Sequence, residues 1–309
     1  MGKEIYDVAI IGGGPAGMTA GIYAGRAHLR SCLLEGMSTG GQMFNTATIE
    51  NYPGFGRVDG PGLSQKMEAQ VKEWGVEIQY DHISEIRRQP ELFELVTLGE
   101  EVISARTVII AAGSTPKQLD VPGESDFLGR GVSYCATCDG AFFRDKDVAV
   151  VGGGDSAVEE SLYLTRFVNR VTIIHRRDEL RAAKHLQERA FDDPRIEFLW
   201  DSEVEAVFGE QMVNMLKVKH KETGEVSNLP VAGGFIYVGM RPNTEFLGGL
   251  VDLDPWGYIK AGEDTATSVP GIFAAGDIRT KGLRQIVTAV ADGAVAAMAA
   301  ERFLGERGL

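Results

Sequence analysis

Twice along this chain a short apolar run passes into a glycine-rich turn and then into a helical pattern, and no other feature constrains the fold as strongly. The first copy runs from Tyr6-Asp7-Val8-Ala9-Ile10-Ile11 through Gly12-Gly13-Gly14-Pro15-Ala16-Gly17 into a helical stretch reaching Ala27. The glycines act differently, since Gly12 allows the tight turn, Gly14 lets backbone approach a pyrophosphate, and Gly17 lets helix and strand pack closely. The unpaired N–H groups at the helix start, with Pro15 and Ala16 in its first turn, then face the phosphates. The second copy runs from Asp147-Val148-Ala149-Val150-Val151 through Gly152-Gly153-Gly154-Asp155-Ser156-Ala157 into a helix to about Phe167, with Ala157 in the third glycine's place. Units of this kind assemble parallel sheets covered on both faces. The expected class is therefore α/β, with two Rossmann-like, three-layer nucleotide-binding domains.

The two copies differ where a ribose would be read. After the first, Ser31-Cys32-Leu33-Leu34 ends in Glu35, 18 residues beyond Gly17, where an acid holds a ribose 2′-hydroxyl. After the second, Arg170-Val171-Thr172-Ile173-Ile174 ends in His175, at the same spacing from Ala157, followed by Arg176, Arg177 and Arg181. This cationic cluster suits a 2′-phosphate and leaves a free 2′-hydroxyl without an acceptor, which favours NADP over NAD. The acidic and basic units thus divide chemically between FAD and NADPH. Thr107 to Gly113 reads as a buried strand closing the first lobe, and Gly234 to Gly239 as its counterpart in the second. Gly271-Ile272-Phe273-Ala274-Ala275-Gly276-Asp277 is a further strand ending in an acid, and an Ala/Val-rich helix follows to about Leu304. The first domain is accordingly expected to be discontinuous, 1–114 with 245–309, and the second, 115–244, to be inserted into it. The connections fall near Gly113-Ser114-Thr115-Pro116 and Gly239-Met240-Arg241-Pro242-Asn243.

Between the two glycine turns lies Cys135-Ala136-Thr137-Cys138, followed at once by Asp139. A structural zinc site wants four ligands, but the chain has three cysteines and its histidines, at 28, 82, 175, 185 and 220, are scattered. A dithiol/disulfide pair remains, and beside two nucleotide sites it points to electron transfer from a nucleotide to a disulfide. Cys32, in an apolar run, reads as a small core residue. Asp139 is the obvious proton donor or acceptor for such a pair, and a helix N-cap beside Gly140 is the plainer alternative. The net charge of −13 argues against a nucleic-acid partner. The start, Met1-Gly2-Lys3-Glu4, lacks a leader pattern, and no segment holds ~18 uninterrupted apolar residues, so no membrane association and a cytoplasmic location are expected. One Cys-x-x-Cys and a lone cysteine is also the usage of a reducing compartment.

From end to end the chain resembles the low-molecular-weight thioredoxin reductases. The resemblance rests on the two glycine turns, Gly40-Gly41-Gln42, Asn51-Tyr52-Pro53-Gly54, Cys135-Ala136-Thr137-Cys138-Asp139, His175-Arg176-Arg177 with Arg181, and Gly276-Asp277 with Arg284-Gln285-Ile286. It implies the pyridine nucleotide-disulfide oxidoreductase architecture and a homodimer. It also implies an FAD site lined by Glu35, Gly40, Gly41, Gln42, Asn51, Gly113, Gly276, Asp277, Arg284, Gln285 and Ile286, with the Ile83 backbone near the adenine. In the implied reaction NADPH reduces FAD, FAD reduces the Cys135–Cys138 disulfide, and the dithiol reduces thioredoxin or a thioredoxin-like protein. Cys138 would face the flavin and Cys135 attack the partner. Asp155-Ser156 departs mildly from the family's small polar pair. Because the cysteines lie in the nucleotide lobe yet must meet flavin, nicotinamide and protein partner, the resemblance implies rotation of one lobe about the Gly/Pro-containing connections. The nearest rival is a flavin-dependent reductase of ferredoxin or flavodoxin, which needs no Cys-Ala-Thr-Cys, or a reductase of another small disulfide. A non-catalytic dinucleotide sensor would not need the cysteines either.

Overall fold

The computed structural model describes residues 5–46, 49 and 51–309, with Cys138 described by its backbone alone. The chain forms two compact units, Met1–Thr115 with Arg241–Leu309, and Pro116–Met240. The first is built on Val102–Ile110, a strand whose buried apolar run needs cover on both faces. Along one edge it pairs in parallel with Ile5–Ile11, which is followed outward by Ser31–Glu35 and Glu77–Tyr80. Its other edge is divided. Residues 102–105 pair antiparallel with Phe93–Thr97, while 108–110 pair in parallel with Ile272–Ala274.

The period of two then sorts side chains between layers. Val8, Ile10, Leu33 and Ile109 face the helices Pro15–Arg26, Gly60–Glu73 and Ile286–Gly305. Ala9, Ile11, Leu34, Val108 and Ile110 face the opposite layer, with Leu95, Leu247 and Ile259. Cys32 is fully buried in that second layer and its thiol is free, with burial pushing its pKa up to about 12. Gly293 of the last helix lies so close to the first helix that a Cβ there would meet Ala16 O at 2.1 Å.

The second unit repeats this logic. Five parallel strands run in the order Ile196–Leu199, Arg170–Ile174, Asp147–Gly152, Gly233–Tyr237 and Val132–Ser133. Helices Asp155–Leu164 and Lys184–Asp192 belong to one face, over Val148, Val150, Val171, Ile173 and Phe235. The other face, with Ala149, Val151 and Ile236, is closed by the antiparallel strands Ser202–Gly209, Val213–His220 and Val226–Pro230.

Three elements differ most in extent from the sequence reading. The strand expected from Thr107 begins at Val102 and stops at Ile110, and Gly113, at φ 63°, lies in the turn beyond. The strand expected over Gly271–Asp277 is Ile272–Ala274 alone, because Gly276 takes φ 79° and opens a 3₁₀ turn, Gly276–Ile278, that carries Asp277. The helix expected to reach Phe167 ends at Leu164, where Phe167 N bonds Leu164 O and tightens the chain.

Candidate active site

Both glycine turns reach the start of a helix by the same steps. In the first, a Cβ on Gly12 (φ 105°) would meet Ala111 O at 2.4 Å, and one on Gly17 would lie 1.7 Å from Gly12 O, so strand and helix meet backbone to backbone. Gly14 differs. It is the N-cap of Pro15–Arg26, no side chain caps that helix, and a Cβ at Gly14 would meet nothing within 4 Å. The second turn matches it. Gly152 (φ 147°) lies against Tyr237 O, Gly154 is an N-cap without a side-chain cap, and a Cβ there also meets nothing within 4 Å. Two helix N-termini therefore present uncapped N–H groups where a phosphate backbone would be held. Ser156 is exposed beside the second turn, while Asp155 is turned aside, its Oδ1 accepting from Ala183 N at 2.7 Å.

The side chains behind the turns follow the sequence's division into acid and base. Glu35 accepts from Gly13 N at 2.6 Å and from Gly36 N at 2.7 Å, which fixes the carboxylate beneath the first turn. Beyond it the His82 ring sits over Gly36, bringing the His82–Ile83 corner to the same place. Beneath the second turn lies the His175 ring, against Gly153. His175 is buried, its Nε2 has no partner, and its pKa is held down by burial, then by Arg181, Arg177 and Arg176. Arg181 returns to the turn through its N–H on Gly153 O at 2.7 Å. All three arginines are exposed, and among the described residues none is in an ion pair.

Residues from distant parts of the first unit meet around its glycine turn. Gly40 N donates to Gly13 O at 2.7 Å, and Gly41 and Gln42 open a 3₁₀ turn. Asn51 Nδ2 donates to Gln285 Oε1 at 3.0 Å. Gln285 caps the last helix through a reciprocal pair with Thr288, leaving Ile286 at its first position. Asp277 is half-buried with its Oδ1 buried and unpartnered, and Arg284, stacked 4.1 Å over the Tyr258 ring, has a buried, unpartnered Nε. Burial raises the Asp277 pKa, against the pull of Lys281 and Arg284. Buried polar atoms are nearly always hydrogen-bonded, so orphaned atoms converging beside a glycine cradle fit a polar ligand there. Sequence reasoning missed what holds this corner: Asp292 accepts from Gly276 N at 2.9 Å, Arg279 at 2.7 and 2.8 Å, and Lys281 at 2.8 Å. The sequence shows only an aspartate interrupting an Ala/Val helix, without its partners.

The cysteine motif lies in the second unit, just beyond the short strand Val132–Ser133. Tyr134 anchors its approach, donating to Glu124 Oε1 at 2.6 Å. Cys135 is disulfide-bonded, its N–H donates to Ser133 Oγ at 3.0 Å, and its sulfur lies 3.2 Å from Thr137 Oγ1. Ala136–Asp139 make a single helical turn closed by Asp139 N on Cys135 O at 3.1 Å. The Cys138 side chain lies outside the described residues. Asp139 occupies the N-cap position of the 3₁₀ turn Gly140–Phe143, yet its carboxylate makes no capping bond, so capping does not account for it.

The comparisons agree on one family for a chain with two glycine cradles and, in the second unit, a disulfide. The family pattern of the pyridine nucleotide-disulphide oxidoreductases matches residues 6–293. Thioredoxin reductases from Listeria innocua and Bacillus subtilis are each 50% identical over 305 residues, covering 98% of this chain and 95% and 96% of theirs. The crystal structure of Lactococcus lactis thioredoxin reductase superposes with a TM-score of 0.95 at 47% identity, over 97% of this chain and 99% of that one. The chain belongs to the thioredoxin reductases. As a thioredoxin reductase it is an oxidoreductase of mixed α/β, Rossmann-like architecture, and its family works with a flavin and a pyridine nucleotide. Among the described residues of this thioredoxin reductase, no group of three or more His, Cys, Asp or Glu could hold a metal ion, and no helix is long and apolar enough to cross a membrane.

Proposed function

We propose that this chain is an NADPH-dependent, FAD-containing thioredoxin-disulfide reductase whose redox pair is Cys135 and Cys138, working in the cytoplasm as a homodimer. The observation that carries the reading is the disulfide at Cys135, held on a one-turn helix in the same unit as a glycine cradle flanked by three arginines. Among the rival readings, a ferredoxin or flavodoxin reductase has no use for that disulfide. FAD would be held in the unit made of Met1–Thr115 and Arg241–Leu309, by Gly12, Gly14, Pro15, Ala16, Gly17, Glu35, Gly40, Gly41, Gln42, Asn51, Gly113, Asp277 and Arg284 to Ile286, with Ile83 at the adenine end. NADPH would be held in Pro116–Met240, by Gly152, Gly154 and the turn to Ala157, with His175, Arg176, Arg177 and Arg181 around the 2′-phosphate. When bound, FAD supplies a two-electron relay between the hydride of NADPH and the disulfide.

The residues of the chain handle the rest. With the pair reduced, the Cys135 thiolate attacks one sulfur of thioredoxin's disulfide, forming a mixed disulfide and releasing thioredoxin's other sulfur as a thiolate, which takes up a proton. The Cys138 thiolate then attacks the Cys135 sulfur, the mixed disulfide breaks, and thioredoxin leaves as a dithiol while Cys135–Cys138 is again oxidised. Asp139, next to Cys138 and free of a capping bond, holds and returns the protons these steps exchange. The test is the visible absorbance of the purified holoenzyme under anaerobic conditions. Flavin bands that bleach on adding NADPH and return on adding oxidised thioredoxin are expected, and bands that bleach but fail to return would refute the disulfide output.

A further inference from the structure

The backbone N–H of Ala136, inside the cysteine motif, is not left to the sulfurs. It donates at 2.8 Å to the hydroxyl of Tyr237, which lies 101 residues away at the end of the strand Gly233–Tyr237. Ala136 is fully buried, and Tyr237 is deep enough that burial raises its pKa above the ordinary tyrosine value, so the oxygen that accepts the bond belongs to a neutral phenol. Glu160 and Asp139 are the carboxyls whose fields add to that effect. The same residue meets the glycine turn at its other end: a Cβ on Gly152 would lie 2.4 Å from Tyr237 O, and the two residues are register partners in the sheet. Tyr237 therefore touches the cradle with its carbonyl and the redox motif with its hydroxyl.

We propose that Tyr237 is a positioning residue that favours the oxidised state of the Cys135 disulfide by occupying the Ala136 N–H. The amide is the next N–H in the chain after Cys135, and a hydrogen bond from an N–H to an ionised acceptor is stronger than one to a neutral acceptor. In the disulfide form neither sulfur carries a charge for the amide to serve, and the Tyr237 hydroxyl satisfies it. In the reduced form a thiolate competes for the same N–H and must displace the phenol. Removing the hydroxyl leaves a buried donor unsatisfied in the oxidised protein and available in the reduced one. Both changes shift the equilibrium toward the dithiol. A neutral hydrogen bond of this kind corresponds to about a two- to tenfold change in an equilibrium constant.

The inference rests on Cys135 and Cys138 forming the redox pair, and its experiment is kept separate from the enzyme's reaction. Wild-type and Tyr237→Phe holoenzymes are equilibrated in dithiothreitol buffers of graded oxidation, quenched by alkylation, and scored by mass for the 135–138 peptide. Phenylalanine preserves the ring, and a matching flavin content with a single cooperative unfolding transition shows that the fold is intact. The expected result is an equilibrium constant about two- to tenfold more in favour of the dithiol, with a lower thiol pKa at Cys135 by the pH dependence of alkylation. An unchanged constant, or a shift toward the disulfide, would overturn the proposal. A second measurement needs no variant: the Ala136 amide of the oxidised wild-type protein must resist hydrogen exchange, and rapid exchange there would overturn the proposal equally. Because dithiothreitol sets the equilibrium, failure of NADPH to reduce the disulfide would count against the proposed function and not against this tie.

Discussion

At the residue scale the chemistry is divided among groups that a single substitution separates. Cys135 carries the disulfide, and in the proposed assignment the glycine cradles hold the nucleotides, so loss of the sulfur should spare the nucleotide half of the reaction. Cys135→Ser is expected to abolish thioredoxin reduction while stopped-flow bleaching of the flavin by NADPH persists; a folded variant that loses both would contradict the division. Glu160 gives a residue-scale prediction about stability. Its Oε2 is buried without a partner, and burial, then Glu159, pushes its pKa up from 4.5 to about 7. Below about pH 4 the carboxyl is protonated whether the chain is folded or not. Between pH 4.5 and about 7 the unfolded chain releases the proton while the folded one keeps it, so stability falls as pH rises through that window. Above it the loss is complete, at about 3 kcal/mol. Glu160→Gln should recover most of this near pH 8 and nothing near pH 4, measured by urea unfolding at both. Neither Glu160 nor Tyr237 stood out in the sequence. A glutamate in Val158-Glu159-Glu160-Ser161 reads as a solvated helix face, and only tertiary packing shows that its Oε2 is buried.

At the scale of elements, the strand–turn–helix units were legible because the glycine spacing is itself the signal, although Gly12 and Gly152 answer to contacts with distant segments, Ala111 and Tyr237. Gly17 is within its own helix's reach of Gly12, and this is a local fact that composition records. The antiparallel strands from 202 to 230 were not read, because half-exposed alternation such as Val213-Asn214-Met215-Leu216-Lys217-Val218 is weak evidence unless its partner strand is known. The Asp292 cluster was hidden for the same reason: its four donors come from residues 276–281, and only the return of the last helix onto that turn brings them together. The glycines permit a paired test. Gly14→Ala meets nothing within 4 Å and keeps an ordinary φ of −74°, so the protein should fold with a melting temperature near wild type while its flavin content falls, the methyl obstructing a phosphate. Gly17→Ala places a Cβ 1.7 Å from Gly12 O and should lower both flavin content and melting temperature. Equal melting temperatures for the two variants would show that Gly17 is not a packing requirement. A Gly14 variant that retains its flavin would remove that residue from the cofactor site.

At the scale of the whole molecule, the proposed assignment distributes the reaction over two units of one chain. Flavin determinants fall in Met1–Thr115 and Arg241–Leu309, while the cysteines and the arginine cluster fall in Pro116–Met240. The chain passes between the units only after Thr115 and after Met240. Each passage is tied into its own unit, Asn243 N to Gly113 O at 3.0 Å on one side and Lys117 N to Gly239 O at 2.9 Å on the other. Gly113 and Gly239 both take positive φ, at 63° and 122°, so a residue with wide backbone freedom stands close to each passage. A disulfide carried by one unit must accept electrons at the flavin of the other and afterwards be open to a protein as large as thioredoxin. One fixed arrangement serves these two demands poorly, and movement about two short passages serves both. An engineered disulfide that locks the units together is therefore expected to stop steady-state thioredoxin reduction, while the half-reaction permitted by the locked arrangement continues. Flavin bleaching by NADPH and single-turnover thiol formation at Cys135 would be followed separately, and reduction of the lock by a small thiol should restore turnover. A locked enzyme that turns over at the wild-type rate would show that one arrangement serves every step and that the two passages are not hinges.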